Sequence, residues 1–438
     1  MFGLPLLKNL AFLLLVLPAT LAFAQQDTTR INTDFIDETD LAKELKGADK
    51  LPKDPSPQQG KLIYFVVPIV GSNPAMGFSY GLGGTGAIYL GDPKTTTISS
   101  LTSSLMLTTK DQFLANLRGT IMTKDNTWEM LVDLKYAVFT ENTYGLGSDD
   151  SQPIKDGWNL GGVQTTGIGG AQLLEFNQVK AYLTALKQFY PHLYLGIGYQ
   201  LDWHTNIRDI ALDTTSANPV ITSHYAYNKL YGFSTRGYTS SGSTLNIVYD
   251  NRDHTLNPYK GAFLQMSYRV NTRFLGSSDD AQQLYLEARY YKNLDKKRPR
   301  HLIGFWGIGQ FVTSGHLPYM HLPANAYDMR NRIDRGYVAG RFRGPSWVTV
   351  ESEYRFPITR NGLLGGVAFV SATTVSRDAI TVGTEYVPKL GLFEAIRTSA
   401  GLGARLMLNR TGRLNLAVDM AFGEGGAKGF YFAVGETF

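Results

Sequence analysis

The sequence predicts an all-β protein, a transmembrane antiparallel β-barrel of about 16 strands. From Lys61 onward, apolar residues recur with a period of two, which indicates a sheet with one apolar face. The alternating segments are about nine to fifteen residues long, which suits a tilted membrane crossing better than an ordinary globular strand. An export signal precedes them, and in lipid only a closed barrel satisfies every strand hydrogen bond.

Residues 128–140 show the alternation well. The even-numbered positions from Trp128 to Val138 are apolar, while Glu129, Asp133 and Lys135 occupy the opposite face. The same parity recurs in 262–270, 284–290 and 414–420. The predicted strands begin near Lys61, Met76, Thr97, Gln112, Trp128, Phe176, His192, Tyr231, Ala262, Gln282, His301, Ser346, Leu363, Ile396, Arg413 and Gly429.

The N-terminus predicts export. Lys8 precedes a leucine-rich run, and Ala22-Phe23-Ala24 matches a cleavage site, so residues 1–24 are interpreted as a cleavable signal peptide. Residues 25–60 form a short polar periplasmic segment in which 34–47 predicts one helix. That helix is either part of a disordered leader or docks elsewhere, for example in the lumen. Residues 61–438 are predicted to form the barrel.

Composition narrows the function classes. The chain has 438 residues and no cysteine, which excludes disulfides and thiolate metal sites. No apolar run after the N-terminus is long enough for a membrane-spanning helix. A net charge of +5 does not indicate nucleic acid. The 46 glycines, 25 tyrosines and 23 phenylalanines, with a slightly negative mean hydropathy, are typical of alternating membrane strands.

The connection between predicted strands 11 and 12 is long and cationic. Residues 329–344 carry five arginines around the step Arg335-Gly336-Tyr337 and have no periodic pattern. Long loops of this kind are usually either functional or disordered. We therefore predict that this loop folds back into the lumen.

The last predicted strand has an aromatic face. Phe430, Phe432 and the terminal Phe438 share one parity, and a terminal aromatic residue is what the outer-membrane assembly machinery reads as a signal. Glu436 shares that parity and is expected at the membrane interface. These phenylalanines mark the C-terminal signal and one side of a predicted lateral seam.

Three stretches resemble the outer-membrane assembly-factor superfamily of bacterial surface antigens, which includes the BamA and TamA barrels. The first is a turn in Tyr249–Gly261 with the motif residues Asp250, Arg252, Asp253, Pro258 and Gly261. The second is the Arg335-Gly336-Tyr337 step. The third is Glu351–Ile358 followed by Val367–Val370. Together with Phe438, the resemblance covers the predicted barrel.

The resemblance implies a clamp in which the loop arginine, Arg335, pairs with carboxylates on the inner wall. Strand parity places Glu351 and Glu353 on the lumenal face, and an arginine fork matches carboxylates bidentately. The family usually offers an aspartate on the next strand, where this chain has Ser371. The second half of the clamp is therefore not accounted for by the sequence.

The resemblance also implies a function. Family members insert, assemble or translocate outer-membrane components, and a seam between 61–70 and 429–438 would open sideways. Residues 25–60 are too short for the family's periplasmic POTRA domains, so the sequence predicts either a separate periplasmic or outer-membrane partner protein or a different role. The alternative function is a passive pore for ions or small solutes.

Other motifs do not predict a site. Gly81–Gly86 fits a dinucleotide fingerprint, but a strand rather than a helix follows it. His192 and His204 lack a serine-hydrolase context. No enzyme activity, cofactor or metal is predicted. The expected surroundings are outer-membrane lipid and lipopolysaccharide of a Gram-negative cell.

Overall fold

The computed structural model describes residues 58–73, 77–149, 159–160, 163–164, 170–327, 333–382, 385–410 and 413–438, together with Leu41 and Glu44. The chain divides into two units, Met1–Ile36 and Asp37–Phe438. The first unit and the predicted signal peptide lie outside the described residues. Of the helix predicted over 34–47, Leu41 and Glu44 are described and both are helical.

Sixteen antiparallel strands form one sheet in chain order. They are β1 (Ile63–Asn73), β2 (Gly77–Ile88), β3 (Ser99–Thr108), β4 (Phe113–Met122), β5 (Trp128–Thr143), β6 (Gln172–Tyr190), β7 (Leu193–Asp209), β8 (Tyr238–Asp250), β9 (Gly261–Asn271), β10 (Ala281–Asn293), β11 (Leu302–Gly315), β12 (Ser346–Pro357), β13 (Leu364–Val375), β14 (Ile396–Asn409), β15 (Leu414–Gly423) and β16 (Lys428–Val434). The predicted strand count is therefore confirmed, and the long cationic loop joins β11 to β12.

The sheet is apolar outside and polar inside. On β12, Val350 is 54% exposed, whereas Glu351 and Glu353 on the other face are buried. Leu245, Ile197 and Leu402 are exposed on other strands. This arrangement inverts that of a soluble sheet and matches a wall that faces hydrocarbon. The fold is the predicted transmembrane β-barrel. Among the described residues, no helix has the length and apolarity to cross a membrane.

Two predicted strand starts are displaced. Strand β6 begins four residues before the predicted Phe176, and β8 begins at Tyr238 instead of near Tyr231. A helix, α1 (Ser223–Leu230), occupies the preceding loop. Gly232, with φ +74°, follows its end. A glycine in the left-handed region commonly terminates a helix, so the strand cannot start there.

Loops from several strands meet in an apolar cluster at one end of the barrel. This cluster, here called the dome, contains Leu146, Tyr227, Phe233, Leu317, Tyr319, Met320, Leu322, Ile380 and Val387. Tyr319 Oη is 2.6 Å from Thr143 Oγ1, and the Tyr319 N–H donates to Asn228 of α1 (3.1 Å). The dome therefore joins the β11–β12 loop to the ends of distant strands.

Candidate functional site

Arg335 lies deep in the lumen, where it is 1% exposed. Its Nη2 donates to Glu351 Oε1 (2.6 Å) and to Glu353, and its Nη1 donates to Asp419 Oδ2 (2.6 Å). The guanidinium carbon also lies 3.5 Å from the ring centroid of Phe369. One arginine thus bridges three buried carboxylates. Charge-assisted bonds of this kind are stronger than neutral ones.

Strand geometry explains how these groups converge. Glu351 and Glu353 are two residues apart on β12 and so point to the same, lumenal face. Ser371, where the resemblance expects an aspartate, lies opposite Glu351 on β13 and bonds to Ser399 Oγ (2.7 Å). The missing carboxylate comes from Asp419 on β15. Lumenal parity within 414–420 hinted at Asp419, but its approach to Arg335 depends on tertiary structure.

Gly336 and Tyr337 attach the same loop to the last strands. The Gly336 N–H donates to Tyr431 Oη on β16 (2.8 Å), and Tyr337 Oη donates to the Thr398 carbonyl on β14 (2.6 Å). Gly336 has φ +108°, and a Cβ there would lie 3.1 Å from Ser399. A side chain at this position would therefore strain the loop. The Arg-Gly-Tyr step is therefore held against the last strands of the sheet, β14 and β16.

Burial and charge act in opposite directions on Arg335. Burial lowers its pKa, but Glu351, Glu353 and Asp419 raise the pKa above its ordinary value. Arg335 therefore stays charged at any physiological pH. The clamp consequently cannot be released by deprotonating the arginine.

A second arginine of the loop, Arg343, was not singled out by the sequence. It is fully buried and bonds to Glu141 on β5 (2.9 Å) and to the Met320 carbonyl in the dome (3.0 Å). Its five-arginine context gave no signal to distinguish it from Arg341, which stacks over Tyr144. The loop is therefore anchored at two points, one near the dome and one near β15.

The C-terminal residues do not share one face as predicted. Phe430 is 70% exposed and Phe432 is also exposed, but Phe438 is 0% exposed. Gly435, with φ +94°, turns the chain after β16. Phe438 then packs inside the barrel at ring-centroid distances of 5.1 Å from Trp306 and 5.8 Å from Tyr291. A single left-handed glycine changes the parity that the sequence pattern implied.

Glu436 was also placed wrongly by parity. It is buried and accepts from Arg405 Nε (2.8 Å) and from Asn415. Burial raises the pKa of Glu436, but the opposing effect of Arg405 and Arg355 is larger and lowers the pKa to about 2. Glu436 is therefore a charged member of the lumenal network and does not lie at the membrane interface.

The C-terminal tail and the Arg335 clamp belong to one ionic network. Arg355 Nη2 donates to the Phe438 carbonyl oxygen (2.9 Å), and Arg355 Nε donates to Glu353 (2.8 Å). On the other side, Arg405 Nη1 donates to Asp419 (2.5 Å). Because Glu353 and Asp419 both also bind Arg335, the loop and the tail are linked through two parallel chains of charges.

The motif turn lies at the opposite end of the barrel from the dome. Asp250 accepts a hydrogen bond from Arg252 Nε (2.9 Å), and the Arg252 guanidinium lies 4.6 Å from the Phe263 ring centroid. Asp253 accepts from the Tyr259 N–H (2.9 Å) and from Arg413 (2.8 Å).

Further hydrogen-bonding contacts join this turn to strands on other sides of the barrel. Thr255 Oγ1 is 3.4 Å from Ser100 Oγ on β3, while Asn257 donates to the Arg413 carbonyl (3.1 Å) just before β15. Pro258 is buried within the turn, and Gly261 ends it with φ +106°. The turn thus spans the mouth between distant strands. None of its described hydrogen bonds and ion pairs is made with Arg335.

The histidines form structural contacts. His321 Nε2 is 2.8 Å from His204 Nδ1, and His321 Nδ1 is 2.7 Å from Ser240 Oγ, which joins the loop to the wall. Burial lowers the pKa of His321 to about 4, so it is neutral at physiological pH. Within the described parts of the chain, no group of three or more histidine, aspartate or glutamate side chains is arranged to hold a metal ion.

Comparison with known proteins gives a family match. A model of the Omp85 superfamily domain matches residues 128–438. The crystal structure of BamA from Haemophilus ducreyi lacking POTRA domains 1–3 aligns with a TM-score of 0.50 at 14% identity, covering 86% of this chain and 70% of that chain.

CdiB from Acinetobacter baumannii aligns at 13% identity with a TM-score of 0.47, covering 85% of this chain and 59% of that chain. The BamA structure is similar to the chain in fold. A search of curated proteins gave no match.

Proposed function

The chain belongs to the Omp85 superfamily, and we propose that it inserts or translocates outer-membrane components through a lateral seam between β1 and β16. The family places the barrel in the outer membrane. Delivery there by a signal peptide cleaved after Ala24, and contact with lipopolysaccharide, are parts of the same proposal. So is a separate partner protein that would present the transported component.

The single observation that carries this proposal is the unpaired seam. Every neighbouring pair of strands from β1–β2 to β15–β16 is hydrogen-bonded, whereas no pairing joins β1 to β16 among the described residues. Strand β16 has 7 residues and β1 has 11, and the tail after Val434 turns into the lumen. Unpaired strand edges are templates for an incoming strand.

Occupation of the lumen also favours a lateral route. The dome lies at one end, the motif turn reaches across the other to Ser100 on β3, and Arg335 of the β11–β12 loop is buried between them, where it binds Asp419. A component that moved along the barrel axis would have to displace all three. A component that entered at the seam would not have to break the hydrogen bonds between any of the paired strands.

The seam can be tested by crosslinking, because the chain has no cysteine of its own. Val66→Cys and Phe432→Cys place thiols on the exposed faces of β1 and β16. A thiol-reactive crosslinker should reduce insertion of a urea-denatured outer-membrane barrel into protein-containing liposomes to the rate of empty liposomes. Insertion is measured as heat-modifiable product on a gel.

The matched control joins strands that are already paired. Met266→Cys and Leu286→Cys are direct partners on β9 and β10, so the same crosslinker should leave insertion unchanged there. Full insertion activity after complete crosslinking of the β1–β16 pair would contradict the proposal. Heat modifiability of each variant shows that its barrel is folded.

The polar lumen supports a second candidate function, a passive pore. Asp133, Arg118 and Lys180 form ion pairs on the inner wall, as the lining of an aqueous channel would. The lateral-seam proposal predicts little current in planar bilayers, because dome, loop and turn occlude the path. A steady open conductance that grows when residues 329–344 are deleted would instead indicate a pore.

A further inference from the structure

One sector of the turn-bearing rim, on the same side as the motif turn, carries an excess of positive charge. The turn between β10 and β11 contains Lys296, Lys297 and Arg298, all exposed, and Lys292 is exposed at the end of β10. Arg360 is exposed in the turn between β12 and β13. These five residues are called the basic rim.

The two turns are in direct contact. Arg300 follows the three exposed cations, and its Nη1 donates to the Gly362 carbonyl of the β12–β13 turn. Its other terminal nitrogen lies 3.2 Å from the position that a Cβ on Gly365 would take. The cations of both turns therefore belong to one continuous surface.

This surface keeps a net positive charge within the described chain, because one of its five cations has an acidic partner. Asp295 is the acidic residue of the β10–β11 turn, and it lies 3.8 Å from Arg298. Lys292, Lys296, Lys297 and Arg360 make no ion pair with any described residue. In two other turns of the same rim the charges balance, since Lys94 accompanies Asp92 and Lys124 accompanies Asp125.

Apolar side chains beside the cations place this surface at the membrane boundary. Leu294 is 46% exposed and Ile358 is 60% exposed, one in each turn. His301 Nε2 is 2.7 Å from Oη of Tyr354, an exposed residue of the outer face. Aromatic residues of this kind mark the headgroup level, and lysine and arginine stems reach along apolar surface to place their charges there.

We propose that the basic rim binds the phosphate groups of anionic phospholipids in the adjacent leaflet. Clusters of four or more lysines and arginines at a membrane surface recognise anionic lipids in this way. The exposed apolar residues between the cations would meet acyl chains. An acidic protein surface would instead place these apolar residues against charged groups. Anionic lipid is therefore favoured over an acidic protein as the binding partner. This inference does not depend on the seam.

Native mass spectrometry tests it with a defined probe. The protein is reconstituted in an equimolar mixture of phosphatidylglycerol and phosphatidylcholine, and the retained lipids are counted. The parent protein should retain phosphatidylglycerol preferentially. Lys296→Gln, Lys297→Gln, Arg298→Gln and Arg360→Gln combined should lower that preference at least about ten-fold, since each cation near an anionic surface contributes about five-fold.

The control removes the same kind of charge from a balanced part of the rim. Lys94→Gln with Lys124→Gln should leave the preference unchanged, and both variants should retain heat modifiability. An unchanged preference in the quadruple variant, or an equal loss in the control, would overturn the proposal. If a soluble polyglutamate peptide binds through the same residues while phosphatidylglycerol is not preferred, the surface serves an acidic protein and the lipid proposal fails.

Discussion

Replacing Arg335 by alanine is expected to lower the yield and heat resistance of the folded barrel more than any other single change in the loop. The substitution leaves Glu351, Glu353 and Asp419 converging on an empty, buried space. Breaking a buried ion pair by removing one partner typically costs about 3–5 kcal/mol. The measurement is the temperature at which the compact gel band converts to the unfolded one.

A double-mutant cycle tests whether the pairing itself is responsible. Glu353→Ala should give a similar defect, because it leaves Arg355 as well as Arg335 short of a partner. The combination with Arg335→Ala should be less damaging than the sum of the two single effects. Simple additivity would show that the two residues act independently.

Two further variants serve as controls for the clamp. Arg341→Ala removes a cation from the same loop, but Arg341 stacks on Tyr144 and lies outside the three-carboxylate cluster, so a small effect is expected. Arg335→Lys keeps the charge but not the planar fork, and it should recover only part of the lost stability.

The fold could be predicted from sequence because the membrane fixes one face of every strand. A one-residue slip would bury Glu129 and Asp133 in lipid and expose Met130 to the lumen, so the face that each residue occupies is tightly specified. The predicted start of β8 was wrong because the loop before it contains secondary structure of its own. Helix α1 and Gly232 delay β8, and nothing in the period-two pattern signals that delay.

Of the candidate site, only the side chains that share one strand could be predicted from the sequence. Parity alone placed Glu351 and Glu353 in the lumen, near any loop that entered it. Asp419 joins them from β15, three strands further along the sheet, and a bridge across that distance depends on the length of the arginine and on loop position. Arg343 and Arg341 look alike in sequence and differ only in their tertiary partners.

The tail shows how one backbone conformation decides which side of the barrel wall a residue occupies. Parity assigned Phe438 to the lipid face, where assembly factors could read it. In the structure Gly435 redirects the chain and hides the ring against Trp306 and Tyr291. A Cβ on Gly304 would lie 3.1 Å from the same ring. The final barrel therefore holds its terminal residue inside, as a latch on the end of β16.

Phe438→Ala is accordingly expected to destabilise the folded barrel by about 3–5 kcal/mol, the usual cost of emptying a buried phenylalanine site. The effect should persist in protein refolded from urea into lipid, where no assembly machinery reads the terminus. Phe430→Ala is the matched control, because it removes an exposed ring from the same strand and should change stability much less.

Trp306→Ala distinguishes a latch from a signal. It empties the lumenal slot without altering the C-terminus, so a latch predicts a comparable loss and strong non-additivity with Phe438→Ala. If Phe438→Ala lowers the yield in cells but leaves the refolded barrel as stable as the parent, the residue acts as a signal alone.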